Sequence, residues 1–168
     1  PDPGAAMTLT LTLVRHAKSD WGDGGMPDHD RPLNPRGERS SRRIGRWLKS
    51  HGHAPDIALV STARRAAQTW ARMAPELGAE VRSVPLTDLY HATPEAILIA
   101  LVGVEARRVM VVAHNPGLAA LAQWLVETTP ERVEFHRFPT CATLVLEIDR
   151  EAWSGLGERC ARVVEFVV

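Results

Sequence analysis

Two cysteines, Cys141 and Cys160, are all the thiols in this chain, too few for a framework of bridges and without metal-ligand spacing. They read as partly buried free thiols of an intracellular protein. Aromatic residues are scarce, with one tyrosine and three phenylalanines, so aliphatic side chains must build most of any core. No apolar run approaches the roughly 20 residues that span a bilayer. Residues 1–6 show no basic-then-apolar leader pattern and read as a ragged start outside the fold. The compartment implied is the cytoplasm. Nor is there an excess of one charge: 20 Lys and Arg against 20 Asp and Glu lack the basic bias that nucleic-acid binding demands. Neither a membrane nor a nucleic acid is expected as a partner.

What the chain does have is apolar material, 45% of its 168 residues, enough for one buried core. Residues 7–168 are expected to form a single domain. Thr8 to Val14 reads TLTLTLV, an alternating, β-branched run suited to a strand. The polar stretch from Arg15 to Pro32 has no apolar period, and such a length inside a compact fold is often functional. Asn34-Pro35 opens a helix that carries Ile44, Trp47, Leu48 and His51 at helical spacing as far as Gly52.

Ile57 to Val60 is a short strand, after which Ser61 or Thr62 is placed to cap a helix running through Ala66, Trp70 and Met73 towards Gly78. Glu80 to Val84 reads as another strand. Thr93-Pro94 begins a third helix, with Ile97, Leu98, Leu101 and Val102 on its apolar stripe. Val109 to Val112 has the continuous apolar character of a strand covered on both faces. Pro116 starts a helix, and Thr143 to Ile148 and Arg162 to Val168 would close the chain as strands. The alternation predicts an α/β fold, a single three-layer domain with a mostly parallel central sheet flanked by helices. Active sites in such sheets gather beyond the carboxyl ends of the strands.

Three of these strands end in unusual polar residues. Val14 gives way to Arg15-His16, Val60 to Ser61 and the pair Arg64-Arg65, and Ala113 to His114-Asn115. Taken singly, each reads as an ordinary loop or solvated helix residue. Together they would bring two imidazoles and at least two guanidiniums to one side of the sheet. Cations repel, so gathering them is costly unless an anion sits among them. Phosphate suits, because arginine presents a planar fork that matches its oxygens.

These residues carry a resemblance. Leu13-Val14-Arg15-His16-Ala17 resembles the signature of the histidine phosphatase superfamily, also called phosphoglycerate mutase-like. RHAKSDW from Arg15, with RPLNPRG from Arg31 to Gly37, is similar to the SixA-like phosphohistidine phosphatases in particular. STARRAAQT, Ser61 to Thr69, resembles the second arginine motif, in a register that puts the catalytic arginine at Arg65. AHNPGL, Ala113 to Leu118, resembles the second histidine motif, with Ala113 where glycine is more usual, and Pro139-Thr140 resembles a late element.

The resemblance implies a phosphoglycerate mutase-like fold and a metal-independent phosphatase that needs no cofactor. His16 would be the nucleophile that carries the phosphoryl group. Arg15, Arg65 and His114 would hold the phosphoryl oxygens. Lys18 and Ser19 would line the mouth, and Asn115 would add a donor beside the amides of the next helix. Where many relatives carry a Glu as general acid, this chain reads LTDLYHATPE, which offers Asp88, His91 and Glu95. Asp88 is the candidate acid, set against its plainer reading as a solvated loop residue. An alkoxide leaving group needs a proton, whereas imidazole leaving a phosphohistidine whose other nitrogen is protonated departs neutral. The substrate expected is therefore a phosphorylated protein histidine. Alternatives are a small phosphate ester or sugar phosphate, or phosphate binding by an adaptor without turnover. Asp20 and Arg31 are expected to pin the long loop through an ion pair. His51 and His53 read as structural, and Trp21 as a wall of the entrance.

Overall fold

The computed structural model describes residues 7–78 and 80–168; the expectation for residues 1–6 falls outside them. Six strands form one sheet: β1 (Thr8–Arg15), β2 (Ile57–Ser61), β3 (Arg82–Leu86), β4 (Arg108–Ala113), β5 (Thr143–Asp149) and β6 (Ala161–Val167). Their order is β3-β2-β4-β1-β5-β6. The pairs β2·β3, β2·β4 and β1·β4 are parallel, whereas β5 runs antiparallel to both β1 and β6. The sheet is thus mixed and mostly parallel. The reversal of β5 follows from its connection: a loop, with only a short 3-10 turn at Trp153–Gly155, leads from β5 to β6, and a parallel return needs a longer crossover.

Alternation along the strands explains the layers. Leu9, Leu11 and Leu13 of β1, with Val109 and Val111 of β4, face one way; Val14, Met110 and Val112 face the other. The first face is covered by α3 (Pro94–Leu101), α4 (Gly117–Leu125) and α5 (Val133–Arg137), which supply Ile97, Leu118, Leu121 and Phe135. The second is covered by α1 (Pro35–Ser50) and α2 (Arg64–Met73), through Ile44, Leu48, Trp70 and Met73. Each such side chain, taken fully out of water, contributes about 1.5–3 kcal/mol before entropy is charged against it.

The helix starts read from the sequence are present at α1 and α3, where Asn34 and Thr93 accept hydrogen bonds from the amides of Gly37 and Ala96. Three expectations need correction. Neither Ser61 nor Thr62 caps α2: the cap position is Ala63, which contributes no side-chain bond, and Ser61 is used elsewhere. Strand β3 begins at Arg82 instead of Glu80 and takes in Pro85, which an edge strand tolerates because one row of its backbone groups is free. Helix α5 was not anticipated, since VEFHR is too short for a helical period to show.

Two glycines set how closely the site loops approach. A Cβ on Gly37, at the start of α1, would overlap the Lys18 carbonyl. A Cβ on Gly117, at the start of α4, would overlap the carbonyl of Ala92. Both helices can therefore press against loops that carry pocket residues.

Candidate active site

The strand order makes neighbours of the three polar strand ends, because β1, β4 and β2 lie side by side and parallel. The amide of His16 donates to the Ala113 carbonyl (3.1 Å), so the two chains stay in register past the ends of the strands. His16 and His114 stand with ring centroids 5.1 Å apart. Both are buried, as is Arg65.

The state of His16 follows from its partners. Its Nδ1 is 2.8 Å from the Ala17 carbonyl, and a carbonyl oxygen only accepts, so Nδ1 carries the proton. Arg65 Nε, a permanent donor, points at His16 Nε2 (3.4 Å). Nε2 therefore carries no proton, and its lone pair is directed at Arg65 on the cavity wall. Burial, deepened by the charges of Arg65 and Arg15 and partly offset by the bond to Ala17, pushes His16 down to about 4. The ring is neutral at physiological pH.

Arg65 sits in the first turn of α2, and the loop after β1 is tied to that helix. Thr69 Oγ1 accepts from the Ala17 amide (2.9 Å) and donates to the Arg65 carbonyl (2.7 Å), while Gln68 Oε1 accepts from the Leu33 amide (2.8 Å). Gln68 and Thr69 thus brace the loop after β1 against the helix that carries Arg65. Arg65 also donates through Nη1 to the Asp28 carbonyl (2.8 Å) and through Nη2 to Asp28 Oδ2 (3.0 Å). Arg15 donates through Nη1 to the Phe138 carbonyl (3.2 Å), and its Nε is buried without a partner. Phe138 holds φ at 43°, a left-handed conformation that its fully buried ring over-determines. The same carbonyl accepts from Asn115 Nδ2 (2.9 Å).

His114 Nε2 lies 2.7 Å from Ser61 Oγ, which also accepts from the Ala63 amide. His114 Nδ1 is buried with no partner. Burial first, then the charges of His16, Arg65 and His91, pushes His114 down to about 3. If the Ser61 hydroxyl donates to Nε2, the proton of the neutral ring stands on Nδ1, free to meet an anion.

One cavity of about 450 Å³ is lined by His16, Arg15, Arg65, His114, Lys18, Ser19 and Asn115. Asp88 is not among its walls. It is exposed on a 3-10 turn at Thr87–Leu89, which buries Leu89 and leaves the neighbouring carboxylate in solvent. The carboxylate in the cavity is Asp28, on the 3-10 turn Asp28–Asp30 of the long loop. Tyr90 OH donates to Asp28 Oδ2 (2.6 Å), and His91 Nε2 stands 3.9 Å from the same oxygen. The Tyr90 hydroxyl and then Arg65 hold Asp28 below its ordinary value, against the opposing effect of desolvation.

Asp28 also replaces Asp20 as the carboxylate facing Arg31 (3.9 Å), while Asp20 turns back to the amide of Gly22. Arg31 stacks over Trp21, 4.2 Å from the ring centre, and Trp21 forms part of the cavity wall with Thr140. His51 and His53 pack on Trp47 at the end of α1, away from the cavity. Asp28, Tyr90 and the role of Ser61 were missed in the sequence. The available signal was the DHD run directly before the RPLNPRG segment. Among the described residues, no three His, Cys, Asp or Glu side chains gather as a metal site, and none of the helices is long and apolar enough to cross a membrane.

The profile of the histidine phosphatase superfamily (branch 1) matches residues 11–87. A candidate SixA phosphohistidine phosphatase of Nakamurella multipartitia superposes with a TM-score of 0.82 at 30% identity, over 96% of each chain. This chain belongs to the histidine phosphatase superfamily and is SixA-like. A second candidate SixA, from Agrobacterium tumefaciens, has a TM-score of 0.77 at 27% identity, covering 95% of this chain and 97% of that one. An uncharacterized protein of Mycobacterium tuberculosis is 37% identical over 163 residues, 92% of this chain and 99% of the relative. For a histidine phosphatase, the matched span holds both strand ends, His16 and Ser61, and the Arg65 helix. It stops short of His114.

Proposed function

We propose that this histidine phosphatase hydrolyses phosphohistidine on proteins through a covalent phosphoryl intermediate on His16 Nε2, without a metal. The single observation that carries the covalent route is the tautomer of His16, neutral with Nε2 unprotonated beside Arg65 on the cavity wall. In the first step Nε2 attacks phosphorus, an Nε2–P bond forms, and the substrate's P–N bond breaks. The electron pair leaves on the substrate imidazole, which departs neutral because its other nitrogen keeps its proton. In the second step water attacks phosphorus and the Nε2–P bond breaks. His16 regains its neutral form, phosphate leaves, and the water's proton stays with phosphate or solvent.

Arg15, Arg65 and His114 Nδ1 hold the three phosphoryl oxygens, and Lys18, Ser19 and Asn115 border the same cavity. Phosphoryl transfer responds mainly to such positioning and charge. The choice of a P–N substrate is supported by Asp28, which is engaged by Arg65 and Tyr90 and held ionised. An ionised carboxylate has no proton to lend an alkoxide, and imidazole needs none.

A second reading, hydrolysis of a small phosphate ester, is favoured by His91. It borders the cavity beside Asp28, where an imidazolium could protonate a leaving oxygen. Phosphate release from free phosphohistidine and a histidine-phosphorylated peptide, measured against sugar phosphates, decides between them. The expected result is faster turnover of the P–N substrates, a phosphoenzyme trapped on His16, and neither in His16→Ala. Faster turnover of the esters, together with a large loss in His91→Ala, would overturn the first reading.

A further inference from the structure

A second recess adjoins the catalytic cavity and has no part in the chemistry above. It holds about 350 Å³ and is lined by Lys18, Arg36, Ser40, Arg43 and Thr140, among others. Lys18 and Thr140 also border the catalytic cavity, so the two recesses are neighbours that share those side chains. Lys18, Arg36 and Arg43 are all exposed. None of the three forms an ion pair with an Asp or Glu side chain among the described residues. Arg43 spends one donor on the main-chain oxygen of Val168.

The arrangement is built by the fold. Gly37 lets the start of α1 press on the backbone of Lys18, and the Asn34 amide bonds the Lys18 carbonyl (3.0 Å). Arg36, Ser40 and Arg43 then recur at helical spacing on the face that lines the recess. Glu38, the acidic residue of α1, turns to the other side and pairs with Arg72; Arg46 is likewise paired, with Glu76. Arg46 and Arg72 thus have carboxylate partners towards α2 and its following turn, while the three cations lining the recess have no Asp or Glu partner among the described residues. In a chain with equal numbers of acids and bases, three cations gathered around one recess repel one another, a cost that an anionic partner would relieve.

We propose that this recess is a docking groove for acidic side chains flanking the phosphohistidine of a protein substrate. The proposal rests on the phosphohistidine reading above and deepens it by naming the substrate's flanks. A polypeptide is favoured over a small molecule by reach. Arg36 and Arg43 are two helical turns apart, about 10 Å along α1, which a few extended residues span and a single phosphate does not. The groove lies next to the catalytic cavity, with Lys18 and Thr140 common to both, so the flanking residues of a chain whose phosphohistidine occupies one lie within reach of the other.

The test uses free phosphohistidine and two histidine-phosphorylated peptides, one with aspartates and one with alanines beside the modified residue. The wild type should show a kcat/KM about tenfold higher for the acidic peptide at low salt, with the gap closing in 0.5 M NaCl. Arg36→Ala/Arg43→Ala should lose that preference and keep the wild-type rate on free phosphohistidine, which also reports that it folds. Arg36→Glu/Arg43→Glu should turn the preference towards a lysine-flanked peptide. Equal kcat/KM for the two peptides in the wild type overturns the groove alone. So does an equal loss on every substrate in the alanine variant, or a gain from a second phosphate on a small ester with none from acidic flanks. No turnover of free phosphohistidine or of either peptide overturns the phosphohistidine reading, and the groove with it.

Discussion

Asp28→Asn distinguishes a carboxylate that positions Arg65 from one that donates a proton. The substitution keeps the shape of the side chain and removes its charge. Two hydrogen bonds converge on Oδ2, from Arg65 Nη2 at 3.0 Å and Tyr90 OH at 2.6 Å. A bond to a charged partner contributes about 1.5–3 kcal/mol. The Asp28 side chain is 40% exposed, so solvent screening brings this to about 1 kcal/mol. The Arg65–Asp28 carbonyl bond is untouched and holds the guanidinium partly in place. The expected outcome is a fall in kcat of about fivefold, with the shape of the pH profile unchanged. Steady-state rates on a phosphohistidine peptide from pH 5 to 9 provide the assay. Loss of a general acid would instead cost about 100-fold or more and remove the alkaline limb. That result would refute the positioning argument and return Asp28 to catalysis proper.

Ser61→Ala leaves both His114 Nε2 and the Ala63 amide without their buried partner, so urea denaturation should show a loss of about 1–3 kcal/mol, and kcat should fall about tenfold as His114 loses its orientation. Gly37→Ala forces a methyl into the Lys18 carbonyl and should cost about 1–3 kcal/mol, read in the same titration. His16 and His114 are held neutral by burial, at about 4 and about 3, while the unfolded chain protonates them near ~6.5. The unfolded state thus binds more protons below that pH, so stability is intact above pH 6.5 and declines as pH falls towards 4, by an order of 3 kcal/mol per ring. Thermal melts across that range should show the decline, reduced in His114→Gln.

Much of this was legible in the chain because residue character changes abruptly where strands end. Val14 to Arg15-His16, Val60 to Ser61, and Ala113 to His114 are steps from apolar to polar or cationic residues, and a strand's direction tells which end they occupy. The capping residues Asn34 and Thr93 were equally plain, since a cap is a local interaction between near neighbours. Asp28 was not plain. It lies in a polar loop whose path depends on contacts with Thr69, Gln68 and Arg65, all on another element. Ser61 was misread for the same reason: its best partner is His114, 53 positions away, and nothing local competes with the reading as a cap.

The sequence by itself determined the alternation of elements, the apolar faces of the sheet, and the identity of the histidines and arginines at its strand ends. Periodicity and residue type are local properties, and short-range physics is enough to interpret them. Only the tertiary structure decided which strands are neighbours, that β5 runs backwards, and which carboxylate meets Arg65. Those depend on how distant segments pack. They determine the proton on His16, the charge on Asp28 and the gathering of Lys18, Arg36 and Arg43 around one recess, because a side chain's ionisation and partners belong to its surroundings.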